Sequence, residues 1–171
     1  LVLEDLMTTG LTVNGGDTIG KTIIFAHKHE HAVKIVERFH NQYPEYGSDF
    51  CALIDNQVSK AQDLINNFEV RGKMPQIVVS VDMMDTGIDV PDVLNLVFFK
   101  QVRSKIKFWQ MIGRGTRKSP DVHGEGMDKQ FFNIYDWCGN FDFFDMTPEG
   151  EPQTQMISVT EKLFDIRVDM A

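Results

Sequence analysis

The chain has 171 residues, 42% of them hydrophobic, enough for one globular domain with a sizeable core or for one domain plus a ragged end. No apolar run approaches the roughly 20 residues that span a bilayer, and the acidic start LVLEDLMTTG lacks the basic region of a signal peptide. A net charge of -8 and a pI near 5.0 argue against a simple nucleic-acid coat. The chain does not begin with Met, as expected of a piece of a larger protein. Cys51 and Cys138 are far apart in sequence, as expected of two reduced thiols in a cytoplasmic protein.

Residues 1–20 read as an N-terminal connecting segment. It contains most of GGDTIGKT, Gly15 to Thr22, which satisfies the phosphate-loop pattern G-x-x-x-x-G-K-[ST]. A working phosphate loop follows a strand and opens a helix, whose N-terminal N–H groups hold the phosphates. Here residues 23–26 are all apolar and 27–31 are all polar or charged, which is the pattern of a strand ending in a loop. The octet is therefore expected to lead into a strand, TIIFA (Thr22–Ala26). A self-contained ATPase using Lys21, with Asp82 at the end of IVVSVD as its magnesium ligand, is the formal alternative.

After Ala26, HKHEHAVKIVERFHNQ carries Ala32, Val33, Ile35, Val36 and Phe39 at helical spacing. FCALI (Phe50–Ile54) is strand-like, and SKAQDLINNFEV predicts a helix with Ser59 as its N-cap. QIVVSV (Gln76–Val81) and VLNLVFF (Val93–Phe99) read as buried strands. SKIKFWQMIG predicts a helix capped by Ser104 with Ile106, Trp109 and Ile112 on its apolar side. QFFNIYDW (Gln130–Trp137) is the last strand. TPEGEPQTQ, from Thr147, reads as a linker, and the remainder to Ala171 as the start of a following element. Continuously apolar strands alternating with helices imply an α/β fold, an open and mainly parallel sheet with helices on both faces. Ligands in such sheets sit at the carboxyl ends of the strands, so the loops after Ala26, Val81, Phe99 and Trp137 are the functional ones.

Two stretches carry chemistry. SVDMMDTGIDVPDV places Asp82, Asp85, Asp89 and Asp92 at spacings of three, four and three, but Gly87 and Pro91 argue against a helix and so against a metal cluster. A loop turning at Gly87 would present Asp89 to a ribose hydroxyl or to a cationic side chain. FWQMIGRGTR puts Gln110, Arg114 and Arg117 on one face if helical geometry persists. Two guanidiniums beside Gly113 and Gly115 suit a phosphate; salt bridges on an acidic body fit equally well. The run from Lys100 to Lys118 holds seven Lys or Arg and no acid, which suggests an anion site or simply a solvated helix face. HKHEH lacks the order and the third ligand of a metal site, and reads as a polar loop at a strand end. No metal is expected.

Taken in order, TIIFAHKHEHA, VVSVDMMDTGIDVPDV and QMIGRGTR resemble motifs IV, V and VI of superfamily-2 helicases. Together they are similar to the second RecA-like domain of a DEAD/DEAH-type motor, over roughly Lys21 to Asp145, a domain spanning 21–146 in all. FWQMIGRGTR followed by FFNIYDWCGNFDFF resembles more narrowly the R (motor and endonuclease) subunit of type I restriction enzymes. The resemblance implies that Arg114 and Arg117 are arginine fingers for ATP hydrolysis, with Gln110, Gly87 and Asp89 beside the nucleotide. It implies that His27, Lys28, Ser80, Val81 and Asp82 lie near the DNA backbone. Two departures are the Gly115-Thr116 order, which is Thr-Gly in many DEAD-box proteins, and Val81 in place of a frequent Thr. Nothing here resembles the first RecA-like domain or a nuclease. The implied parent is an ATP- and Mg2+-dependent translocase on duplex DNA. It would work with its own first motor domain and with modification and specificity subunits, and this chain alone would be inactive. Another helicase, in repair or RNA metabolism, or a non-enzymatic module of the same fold, are the alternatives.

Overall fold

The computed structural model describes residues 1–84 and 88–146. Asp85, Gly87, and the expected linker and following element at 147–171 lie outside the described residues. The chain opens with α1 (Val2–Thr9), then a small antiparallel pair, β1 (Thr12–Val13) and β2 (Thr18–Ile19), joined through a 3-10 turn at Asn14–Gly16. There follow β3 (Lys21–Ala26), α2 (His29–Gln42), β4 (Cys51–Ile54), α3 (Ala61–Phe68), β5 (Ile77–Ser80), β6 (Val93–Phe99), α4 (Lys105–Ile112), β7 (Asn133–Asp136) and α5 (Asn140–Met146).

Strands β3 to β7 form one five-stranded sheet in the order β4-β5-β3-β6-β7, and every pairing is parallel. Period-two alternation sends adjacent residues of each strand to opposite faces. Ile23 and Phe25 of β3, Val78 of β5, and Leu96 and Phe98 of β6 meet Ile65 and Phe68 of α3 and Phe108, Met111 and Ile112 of α4. Ile24, Val79 and Val97 point the other way and meet Leu3 and Leu6 of α1 and Ala32, Ile35 and Phe39 of α2. The expected helices on both faces are there, and the strands are continuously apolar because both faces are covered.

The octet behaves as expected, and three other details differ. The octet Gly15–Thr22 forms a turn, β2 and the first two residues of β3. Gly15 and Gly16 adopt φ of 73° and 105° in the exposed turn. Gly20 lies so close to β6 that a Cβ there would meet Leu94 Cβ at 2.9 Å. Lys21 is the first residue of the central strand, 3% exposed, with Nζ donating to the Lys73 carbonyl at 3.2 Å and lying over the Phe68 ring. A strand, not a helix, follows the lysine, so the phosphate-loop alternative fails on geometry.

Ser59 does not cap α3. Lys60 occupies that position without a side-chain bond, and the Ala61 N–H is taken by the Val58 carbonyl in a preceding turn. Ser104 does cap α4, its Oγ accepting from the Lys107 N–H. The apolar side of α4 is rotated from the expected one: Phe108, Met111 and Ile112 are buried, whereas Ile106 and Trp109 are 68% and 58% exposed. The last strand is shorter than QFFNIYDW because β7 pairs with β6 only from Asn95↔Asn133 to Phe98↔Asp136.

Candidate functional site

Parallel strands put all their carboxyl ends on one edge, and several candidate residues gather there. His27 and Lys28 follow β3 and are exposed; the His27 N–H donates to His31 Nδ1. Burial, together with the charges of His27, Lys28 and Lys34, lowers the His31 pKa. Ser80 ends β5 fully buried, its hydroxyl accepting from the Met84 N–H at 3.0 Å, and Val81 is half-buried. Asp82 turns outward with φ of 60°, a left-handed conformation that Asp tolerates better than most residues. Lys107 Nζ at 2.8 Å and Lys100 Nζ at 3.1 Å both donate to its Oδ1. The hydrogen bond from Lys107 is the largest influence on the carboxyl. With the charge of Lys100 it outweighs partial burial and holds the pKa down to about 2.

The second group lies where the chain leaving β5 passes α4 on its way to β6. Arg114 Nη1 donates to the Ile88 carbonyl, and Arg117 Nη2 donates to Asp89 Oδ2 at 2.6 Å. Asp89, Gln110, Arg114 and Arg117, together with Gly113, line one open cleft of about 520 Å³. Of the two partners foreseen for Asp89, a ribose hydroxyl or a cation, the structure supplies the cation, Arg117. The helical face foreseen for Gln110 and Arg114 is present through Gln110, where α4 ends two residues later; Arg114 and Arg117 then come from the following turn. Gly115 is set there by packing: a Cβ would lie 2.2 Å from the Phe132 ring. Gly87, foreseen beside the nucleotide, is outside the described residues.

Three polar arrangements were not legible in the sequence. His29, the helix residue between the two noticed histidines, pairs with buried Asp55 at 2.5 Å after β4. Asp92 accepts from Arg71 Nε and Nη2 at 2.8 and 2.7 Å and from Ser119 Oγ at 2.5 Å. Burial pushes the Asp92 pKa up, but these hydrogen bonds and the charges of Arg71 and Lys21 hold it below its ordinary value. Asn140, buried at the head of α5, donates to the Lys100 carbonyl and to Asp136 and accepts from the Val102 N–H. All three join residues distant in sequence, and the one available signal was the position of Asp55 at a strand's carboxyl end. Among the described residues no group of three or more His, Cys, Asp or Glu could hold a metal ion. No helix among them is long and apolar enough to cross a membrane.

Comparison with known proteins gives this arrangement a family. The model of the helicase conserved C-terminal domain matches residues 3–119. The type I restriction enzyme EcoKI endonuclease subunit of Escherichia coli (strain K12) is 37% identical over 124 residues, 68% of this chain and 10% of that protein. The EcoAI endonuclease subunit of Escherichia coli is 30% identical over 155 residues, 87% of this chain and 18% of that protein. The chain thus spans less than a fifth of either relative. A fragment structure of an HsdR subunit of a type I restriction enzyme from Vibrio vulnificus YJ016 matches with a TM-score of 0.69 at 26% identity. The match covers 89% of this chain and 29% of that one. Domain 2 of the DEAD-box helicase Mss116p, bound to an RNA duplex, matches with a TM-score of 0.53 at 18% identity, over 68% of this chain and 41% of that one, a likeness of fold alone. The chain belongs to the helicase conserved C-terminal domain family, with a RecA-like fold, and is similar over most of its length to the endonuclease subunits of type I restriction enzymes.

Proposed function

We propose that this domain is the second motor domain of an ATP-dependent translocase on duplex DNA, within the R subunit of a type I restriction-modification enzyme. The observation that carries this reading is the cleft in which Arg114 and Arg117 stand together with Gln110 and Asp89. A triphosphate held on a facing first RecA-like domain would present its terminal oxygens to those two guanidiniums, which match a phosphate bidentately. Arg117 is held by an exposed carboxylate, a pair worth at most ~1 kcal/mol, so it exchanges Asp89 for phosphate at little cost. Charge developing in phosphoryl transfer would then be stabilised by arginines already aimed from the α4 turn, in a cleft that closure makes drier.

The residues here fit one half of such a site. Two arginines suit the γ-phosphate, whereas the octet around Lys21 is turn and strand, so ATP and Mg2+ would be held mainly by the other motor domain. That division is why the isolated chain should be inactive. His27, Lys28 and Asp82, on loops positioned by the ends of β3 and by Ser80 and Val81, would line part of the DNA track. Modification and specificity subunits would be the further partners, and the cytoplasm the compartment.

In the full-length parent, Arg114→Ala or Arg117→Ala should lower ATP turnover by at least about a hundred-fold while DNA binding largely survives. Unchanged turnover would remove the arginine-finger role. Robust ATP hydrolysis by the isolated chain, abolished by Lys21→Ala, would restore the self-contained ATPase.

A further inference from the structure

Two lysines converge on one carboxylate oxygen at the carboxyl edge of the sheet. Lys100, the residue after β6, is 7% exposed, and Lys107 stands in the first turn of α4. Their Nζ atoms lie 3.1 and 2.8 Å from the same Asp82 Oδ1. Two ammoniums that close to one oxygen make a receptor for a compact anion able to accept several hydrogen bonds. Asp82 enters that receptor from the end of β5 through its left-handed backbone. The sheet also sets its neighbours. In the order β5-β3-β6, Phe25 is level with Ser80 and Ala26 with Phe99. The chains carrying Asp82, His27 with Lys28, and Lys100 therefore leave the sheet side by side, from adjacent strands about 4.8 Å apart.

Resting on the function proposed above, we infer that Lys100 and Lys107 form a further site for a phosphodiester of duplex DNA, which the Asp82 carboxylate occupies until DNA displaces it. Three features favour the exchange. Asp82 Oδ1 accepts from both lysines, as a phosphate oxygen would. The carboxyl stays ionised, its pKa held down to about 2, so an incoming anion rather than ordinary acidity vacates the site. The side chains of Asp82 and Lys107 are 65% and 41% exposed, and a pair so open to water is weak enough to yield. An ammonium is a point charge that any phosphate oxygen satisfies, which suits contact with the backbone independent of sequence. Asp82 thus lines the track as a competitor of the backbone.

The test measures dissociation constants of the full-length parent for a duplex without a recognition site, across a salt series. Asp82→Asn should tighten binding about three-fold, because the lysines keep only a neutral partner. Weaker binding would mark Asp82 as a backbone contact and unchanged binding as a structural clip; either overturns the inference. Lys107 is half-exposed, so its replacement leaves the core intact. Lys107→Gln should weaken binding about five-fold and lower the slope of log affinity against log salt by about one. An unchanged slope overturns the site. In the Lys107→Gln background, Asp82→Asn should gain less than about two-fold; an equal gain in both backgrounds means long-range repulsion and overturns the competition. A shift in affinity for a non-hydrolysable ATP analogue in place of the shift for DNA would give the lysines to the nucleotide, and overturns the inference as well. Wild-type turnover that does not respond to duplex DNA refutes the translocase itself, whereas DNA-stimulated turnover with unmoved variants refutes the phosphate site alone.

Discussion

Arg117 and Asp89, 28 residues apart in sequence, meet side chain to side chain at 2.6 Å, and both are more than half exposed. The pair joins the chain leaving β5 to the turn after α4 without adding much to stability, because water screens it. Asp89→Ala should therefore lower the unfolding free energy by less than ~1 kcal/mol in denaturant titrations. In the full-length parent the same variant should reduce ATP turnover by about five-fold at most, since a pair worth less than ~1 kcal/mol is all that aims Arg117 before phosphate replaces Asp89. Arg117→Lys should not restore activity, because an ammonium cannot make the two parallel hydrogen bonds of a guanidinium.

Asp92 is the opposite case, a carboxylate that accepts from two side chains in a largely buried setting. Removing it leaves Arg71 and Ser119 unmatched and Lys21 without its nearby negative charge. Asp92→Ala should cost about 2–4 kcal/mol, below the full figure for a buried pair because Arg71 reaches solvent. Its folded pKa is lowered, so the contribution is complete above the unfolded value and is lost as pH falls through the folded one. Chemical denaturation of the wild type and of Asp92→Asn across acidic pH would show the two stabilities converging. Parallel curves would refute the assignment.

Lys21 carries the reverse sign. Burial lowers its pKa from 10.5 to about 8, against the pull of Asp92. Between those values the unfolded chain keeps a proton that the folded chain has released, so stability rises with pH across the window, and below about 8 the penalty is complete. Lys21→Met should therefore stabilise the domain at neutral pH by ~1 kcal/mol, a figure reduced from the full shift by the lost bond to the Lys73 carbonyl. Lys129, also lowered to about 8 by burial, shares the window, so the slope should roughly halve rather than vanish. The same variant should leave ATP turnover of the parent intact, which a phosphate-loop lysine would not.

Gly115 tests the packing of the arginine turn. A methyl group there meets the Phe132 ring well inside contact distance. Gly115→Ala should destabilise by about 1–3 kcal/mol through overpacking and should displace Arg114 and Arg117 together. Gly115→Ala combined with Phe132→Leu should recover part of the stability, measured by thermal unfolding. No recovery would mean that the glycine is needed for another reason.

Much of the architecture was legible locally. Val93–Phe99 coincides with its strand, the Ser104 cap is made, and the octet GGDTIGKT leads into a strand because four apolar residues follow it and then five polar ones. The α4 face was misread because the eight residues of that helix contain apolar side chains nearly all round, so spacing alone could not choose between Phe108, Met111 and Ile112 and the Ile106–Trp109 side. The choice was made by β6 and α5: Phe98 lies 5.5 Å and Phe144 4.6 Å from Phe108, ring to ring. Ser59 failed as a cap for a related reason, since a backbone turn satisfied the same N–H first.

By itself, the sequence determined the alternation of strands and helices, the parallel sheet, and the stock of guanidiniums and carboxylates at the candidate site, because periodicity and residue chemistry are local properties. Only the tertiary structure decided which of those residues meet. Arg117 reaches Asp89, Arg71 and Ser119 reach Asp92, His29 reaches Asp55, and Lys100 with Lys107 reaches Asp82. Each pairing bridges elements that are remote in the chain and become neighbours only when parallel crossovers stack them over one sheet. The same stacking turned Ile106 and Trp109 outward. A helix has one side to give the core, and here the sheet claimed Phe108 and left the other side exposed.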